Sequence, residues 1–179
     1  ISQPPRRQLR RRRRLRSVHN LHEIDIQLSG QHGRKPFTGF LLTLDPGQTT
    51  GVAFFHGTEL KEVLQQKTPN IPSAVELFTE LLDRLPVDTI VIEDYHVYAW
   101  RAKQHAWSDL YTPRMIGAVE AICAQRSLPL VKQSAQIAKG FVTDTKLKAW
   151  ELYRKGMPHA RDAVRHGCYY ILFGRYKVR

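Results

Sequence analysis

Four side chains in this 179-residue chain have the types and spacing to do hydrolytic chemistry together: Asp45, Glu93, His159 and Asp162. Asp45 closes the apolar run Leu41-Leu42-Thr43-Leu44 and is followed at once by the turn pair Pro46-Gly47 and a second apolar run, Val52 to Phe55. A carboxylate held at the end of a buried strand is costly to desolvate unless a cation or phosphate meets it, which makes Asp45 a candidate metal ligand. Glu93 ends a second apolar run, Ile90-Val91-Ile92. His159 and Asp162 stand three apart in a helical pattern, so both can point at one site. Phosphoryl hydrolysis uses two divalent cations roughly 4 Å apart, held by hard oxygen ligands from separate rigid elements. An imidazole in such a site can bind metal or move a proton.

Each residue taken singly has a plainer use. Asp45 could accept hydrogen bonds from the 47–51 turn, Glu93 or Asp94 could cap a loop, and His159 could simply open a helix. Asp94 would take the place of Glu93 under a one-residue change of strand register. The conjunction favours a shared site, because several strand-end carboxylates are expensive without a cation.

The elements that must carry these residues follow from hydrophobic period and turn chemistry. Strands are expected at 39–45 and 51–56, joined by the Pro46-Gly47 turn, with a third at 59–67, forming an antiparallel meander. Ser73 and Glu76 read as a capping box for a helix through Val75, Phe78, Leu81, Leu82 and Leu85, ending before Pro86. Residues 88–92 read as a central parallel strand that ends in Glu93-Asp94. A helix opens at Thr112-Pro113, and a short strand spans 128–132. Thr143-Asp144 caps a basic helix through Leu147, Trp150, Leu152 and Tyr153, which Gly156 stops. The last helix starts near Pro158 with the inward stripe Ala160, Ala163, Val164, Gly167, Cys168, Ile171 and Leu172, leaving His159, Asp162 and His166 on a neighbouring face. Residues 17–36 show no stable period beyond the alternation in 24–28 and read as a linker with room for an edge strand.

The length suits one domain plus an extension, with a core large enough to need neither disulfides nor structural metal. The net charge of +12 is uneven: residues 1–16 carry eight arginines and no acid, and removing them leaves +4. Such a run repels itself, so residues 1–36 are expected as a disordered basic arm and linker ahead of a folded domain at 37–179. The arm suits nucleic acid, and equally an organellar or nuclear targeting signal. Cys123 and Cys168 are too few for a zinc pattern or a disulfide framework and read as reduced core thiols of an intracellular protein. No stretch approaches the roughly 18 apolar residues of a membrane span, so a soluble protein without a membrane partner is expected.

The Asp-Pro-Gly-x-x-x-Gly turn at 45–51, the Ile-Val-Ile-Glu strand end at 90–93 and the His-Ala-Arg-Asp-Ala helix start at 159–163 resemble the RuvC-type Holliday junction resolvases, most of all the small versions carried by bacteriophages. The resemblance covers roughly residues 39–175. It implies an α/β, RNase H-like fold: a mixed sheet, with the three-stranded antiparallel meander plus parallel strands, flanked by helices. It implies two Mg2+ ions, for which Mn2+ can substitute, with Asp45, Glu93, His159 and Asp162 as catalytic residues and metal ligands. It also implies a homodimer acting on four-way DNA junctions, and a cytoplasmic location in a bacterial host if the protein is phage-carried. The family often has an aspartate where this chain has His159, and some members have histidine there, so His159 is read as a ligand or a proton carrier.

After Glu93, aromatic and basic residues interleave. Stacking on unpaired bases at roughly 1–3 kcal/mol each, with cations on phosphates, makes Tyr95, His96, Tyr98, Arg101 and Lys103 candidate DNA contacts. Trp100 and Trp107 serve equally as core anchors. Lys146, Lys148, Arg161 and Arg165 form a further basic set near the acids. Two competing functions are a non-catalytic RNase H-like nucleic-acid-binding protein within a larger assembly, and an RNase H-like nuclease of other specificity, RNA-cleaving enzymes included. An actin-like kinase shares the Asp-x-Gly-x-Thr turn but needs two domains and a second glycine-rich phosphate motif, which this chain lacks.

Overall fold

The computed structural model describes residues 20–95 and 110–176. In chain order the elements are α1 (Leu21–Gln31), β1 (Phe40–Asp45), β2 (Thr49–His56), β3 (Glu59–Lys67), α2 (Ile71–Arg84), β4 (Thr89–Asp94), α3 (Tyr111–Gln125), β5 (Leu130–Ser134), α4 (Ala135–Phe141), α5 (Asp144–Ala149), α6 (Pro158–Leu172) and a 3₁₀ turn at Gly174–Tyr176. The five strands form one sheet in the order β3-β2-β1-β4-β5. β1, β2 and β3 make the expected antiparallel meander, and β4 and β5 extend it in parallel from β1.

Strand alternation divides the core into two layers. Leu42, Leu44, Val52, Phe54, Ile90 and Ile92 pack against α2 and α3 through Leu77, Phe78, Leu81, Ile116 and Val119. Leu41, Ala53, Phe55 and Val91 pack against α6 through Ala163, Val164, Cys168, Ile171 and Leu172. Asp45 and Glu93 are odd-numbered like Leu41 and Val91, so the two-residue period turns them to the α6 face. Asp94 belongs to the opposite set, which answers the register question in favour of Glu93 on the α6 side.

Helix α6 sits unusually close to the sheet. A Cβ at Gly51, which pairs with Asp45, would lie 2.0 Å from the His159 carbonyl oxygen. A Cβ at Gly167 would lie 2.3 Å from the Phe55 ring. Only glycine permits this approach, and the buried Thr43 hydroxyl fastens it by donating to the Ala163 carbonyl at 2.7 Å. The last helix therefore delivers its first turn directly over the end of β1.

Several expected elements differ. The 17–36 linker contains α1, whose N-cap is a complete Asn20–Glu23 capping box. Its alternating Ile24-Asp25-Ile26 suggested a strand because the inward face is partly polar: Asp25 and Ser29 are both buried, beside Leu21. The arginine-rich segment before residue 20 lies outside the described residues. The α2 capping box is Asn70 with Ser73, not Ser73 with Glu76, because the helix starts three residues earlier. The basic helix ends at Ala149, and Trp150 and Leu152 are buried beyond it, with Glu151 at φ +62° turning the chain before Gly156 is reached. Helix α4 had no sequence counterpart. Cys123 and Cys168 are free and buried.

Candidate active site

The acidic positions meet at one end of the sheet. Asp45 is buried at the end of β1, and its Oδ2 lies 2.8 Å from His159 Nδ1. The turn that follows does not use Asp45. Its Gly47 carbonyl accepts from the Thr68 hydroxyl at 2.6 Å and the Thr50 hydroxyl at 3.1 Å, so the hydrogen-bonded-turn alternative for Asp45 falls away. The start of α6 is pinned from β3, since Gln65 Oε1 accepts from the His159 backbone N–H at 2.9 Å.

Glu93 Oε2 meets His166 Nε2 at 2.9 Å and the Lys139 ammonium at 3.2 Å. The same ammonium reaches Asp162 Oδ2 at 2.9 Å, so α4 inserts one cation between two of the acids. Asp162 Oδ1 is held by Arg165, whose guanidinium also holds Asp144 at the start of α5 and donates from Nε to the Val142 carbonyl at 3.0 Å.

The electrostatics record this crowding. Burial, then the charge of Glu93, pushes the Asp45 carboxyl up to about 7 against the opposing contacts of His159 and Lys139. Burial also acts to raise Glu93, but its contacts with His166 and Lys139 outweigh that and hold it below the usual carboxylate range. Burial would lower Lys139; its bond to Asp162 and the charges of Glu93, Asp162 and Asp45 raise it instead. The end of the sheet is thus a concentration of negative charge that Lys139 only partly offsets.

Three carboxylates with an imidazole beside them suit a hard divalent cation, which oxygen donors bind best. Among the described residues no group of three His, Cys, Asp or Glu side chains is drawn together into a ready-made ion site. The Lys139 ammonium occupies the position between Glu93 and Asp162 where positive charge is best repaid.

The expected DNA contacts separate into three groups. His96, Tyr98, Arg101 and Lys103 lie outside the described residues, as do Trp100 and Trp107, and Tyr95 packs partly against the α2–α3 layer. Lys148 is exposed, with its ammonium 4.9 Å from the Tyr153 ring centroid. Lys146 donates to the Phe141 carbonyl at 2.7 Å and sits over that ring, and burial lowers its pKa. Arg161 and Arg165 turn inward. Arg161 donates to the Tyr153 hydroxyl and the Arg154 carbonyl, both at 3.3 Å. Arg165 commits all three nitrogens to protein acceptors, so it braces Asp162 in place of offering a free cation to a phosphate. Lys139, Gln133 and Gln65 were not singled out from the sequence, and Asp144 was read only as part of a helix cap. His166 was visible as the third polar residue on the His159–Asp162 face, spaced by three and then four.

A mixed sheet with an antiparallel meander, two parallel strands and a closing helix that bears acid over the first strand defines an RNase H-like α/β fold. Among solved structures, this chain is similar to RuvC of T. thermophilus in complex with a Holliday junction substrate, with a TM-score of 0.61 and 15% identity over 78% of this chain and 96% of that one. It is also similar to the yeast mitochondrial Holliday junction resolvase Ydc2, with a TM-score of 0.53 and 13% identity over 83% of this chain and 84% of that one. No protein-family model matches the sequence, and no curated protein matches it. The expected RuvC-type architecture is therefore present in this chain.

Proposed function

We propose that this chain is a divalent-metal-dependent endonuclease that resolves four-way or otherwise branched DNA by phosphodiester hydrolysis. The observation that carries the proposal is the convergence of Asp45, Glu93 and Asp162, from three separate elements, on one sheet end in a fold shared with two Holliday junction resolvases. Mg2+, or Mn2+ in its place, would be held by these carboxylates and His159, and would activate water and stabilise the leaving oxygen of the scissile phosphate. His159 is oriented by Asp45 through Nδ1, which leaves Nε2 to bind metal or carry a proton. Lys139 bridges Glu93 and Asp162, offsets part of their charge, and would be free to meet a substrate phosphate where cations take its place. A two-fold dimer would present one such site to each of two strands.

The test is cleavage of labelled four-way, Y-shaped and linear DNA in Mg2+, with EDTA as control. Paired symmetric nicks on the four-way junction support the proposal; equal cutting of RNA–DNA hybrids points to an RNase H-like nuclease of other specificity. Asp45→Asn, Glu93→Gln and Asp162→Asn should each lower the cleavage rate by roughly two to four orders of magnitude while junction binding survives, since each removes an anchor for the cation's several kcal/mol of transition-state stabilisation. Asp162 is already satisfied by Arg165 and Lys139, an arrangement that a non-catalytic binding relative would also keep. Tight junction binding with no cutting in either Mg2+ or Mn2+ would favour that second function.

A further inference from the structure

Parallel pairing of β4 with β5 sets Glu93 directly beside Gln133. Both face α6, and His166, four residues beyond Asp162, spans them from above. The imidazole is completely buried, where a polar ring is costly unless both nitrogens are partnered. Both are: Nε2 lies 2.9 Å from Glu93 Oε2, and Nδ1 lies 2.6 Å from Gln133 Oε1. The ionised carboxylate only accepts, so Nε2 is the donor. The Gln133 amide can accept or donate at Nδ1, and it holds the far side of the ring in either case.

We infer that His166, backed by Gln133, is a positioning residue that fixes the Glu93 carboxylate so that one defined oxygen, Oε1, is presented to a divalent cation. Two hydrogen bonds at opposite ends of the ring leave it no freedom to rotate. A half-buried glutamate would otherwise sample several rotamers, and ordering it would be charged against cation binding. His166 and Lys139 both bind Oε2, while Oε1 has no protein partner among the described residues. Glu93 can therefore ligate through Oε1 and keep its internal anchor. Outer partners of metal-binding carboxylates act in this way in general, by orienting the ligand.

The inference rests on the proposed role of Glu93 as a metal ligand, and its test separates the two. Mn2+ is titrated into the DNA-free, full-length protein, with the affinity followed by calorimetry or by loss of the free-ion paramagnetic signal. His166→Leu keeps the volume but removes the donor, and should weaken Mn2+ binding roughly 10- to 100-fold. His166→Gln can donate from a similar position and should recover most of that loss. Gln133→Leu frees the ring and should produce an intermediate loss. A folded His166→Leu protein that binds Mn2+ as tightly as the native chain overturns the inference, and so does His166→Gln binding no better than His166→Leu, because packing alone would then explain the residue. If His166→Leu does not fold, unchanged Mn2+ affinity in Gln133→Leu overturns it instead. Should the native chain itself fail to bind Mn2+, the metal centre falls and this inference with it, whereas native binding with indifferent variants sinks the inference alone.

Discussion

Asp45 combines two costs: it is buried, and it faces Glu93 and Asp162. Its carboxyl is raised from 3.8 to about 7 in the metal-free protein, which fixes the sign of a pH effect. Between those values the folded chain keeps a proton that the unfolded chain has lost, so this group's contribution to stability falls as pH rises through the window and is fully unfavourable above it. Glu93, held low, acts in the opposite sense: it contributes stability above its ordinary value that is lost as pH falls. Comparing native protein with Asp45→Asn isolates the first group. In EDTA the variant should gain on the native chain from about pH 4 upward, with a difference of a few kcal/mol at most that levels off near pH 8. Urea denaturation across that range measures it, and a constant difference would refute the assignment. Such a residue, unfavourable without its ligand, is what a binding carboxylate should look like. Asp45, Glu93, His159 and Asp162 were legible in the sequence because strand ends and a helix start mark them. Lys139 was not, since nothing in the short α4 sequence announces a helix or says which acids it will reach.

At the scale of elements, α1 is the clearest departure from what the sequence suggested, and it is structural in its own right. Asp25 is completely buried and binds Arg175, the Ser29 hydroxyl at 3.2 Å and the Phe37 backbone N–H at 2.7 Å. This one carboxylate ties α1 to the chain entering β1 and to the 3₁₀ turn that follows α6. Leu21 is buried in the α6-side core, with Ile24 and Leu28 packed against it. Asp25→Ala should therefore cost about 3–5 kcal/mol, because Arg175 and a backbone N–H lose their acceptor in a mostly buried setting. Removing residues 1–19 should leave the melting temperature nearly unchanged, while removing 1–36 should lower it sharply. Equal melting of the two truncations would mean that α1 contributes nothing. The helix was hidden because hydrophobic period is the main sequence signal, and Asp25 and Ser29 replace apolar residues on its inward face. Its capping box, Asn20 to Glu23, was the cue available. The meander, β4 and α6 were legible for the converse reason: their inward positions are mostly apolar, with Thr43 and His166 among the few buried polar exceptions, so the period stays readable.

For the molecule as a whole, charge is unevenly distributed along the chain. Eight of the twelve net positive charges lie in residues 1–16, and the remaining +4 belongs to residues 17–179, where Asp45, Glu93 and Asp162 stand together at the sheet end. Arg161 and Arg165 are spent on internal acceptors, which leaves the described domain with fewer free cations than its composition suggests. If the arginine arm neutralises substrate phosphates, each contact releases a counterion, and the slope of log K against log salt steepens by about 0.9 per phosphate on duplex DNA. Eight contacts would account for a slope of about 7. Deleting residues 1–16 should then flatten the salt dependence of junction binding by up to that amount and weaken binding most at low salt. The single-turnover cleavage rate at saturating protein should stay unchanged, because no residue of the proposed site lies in the deleted segment. An unaltered salt slope would assign the arm to targeting, and a lower cleavage rate at saturation would mean that it helps shape the junction as well as hold it.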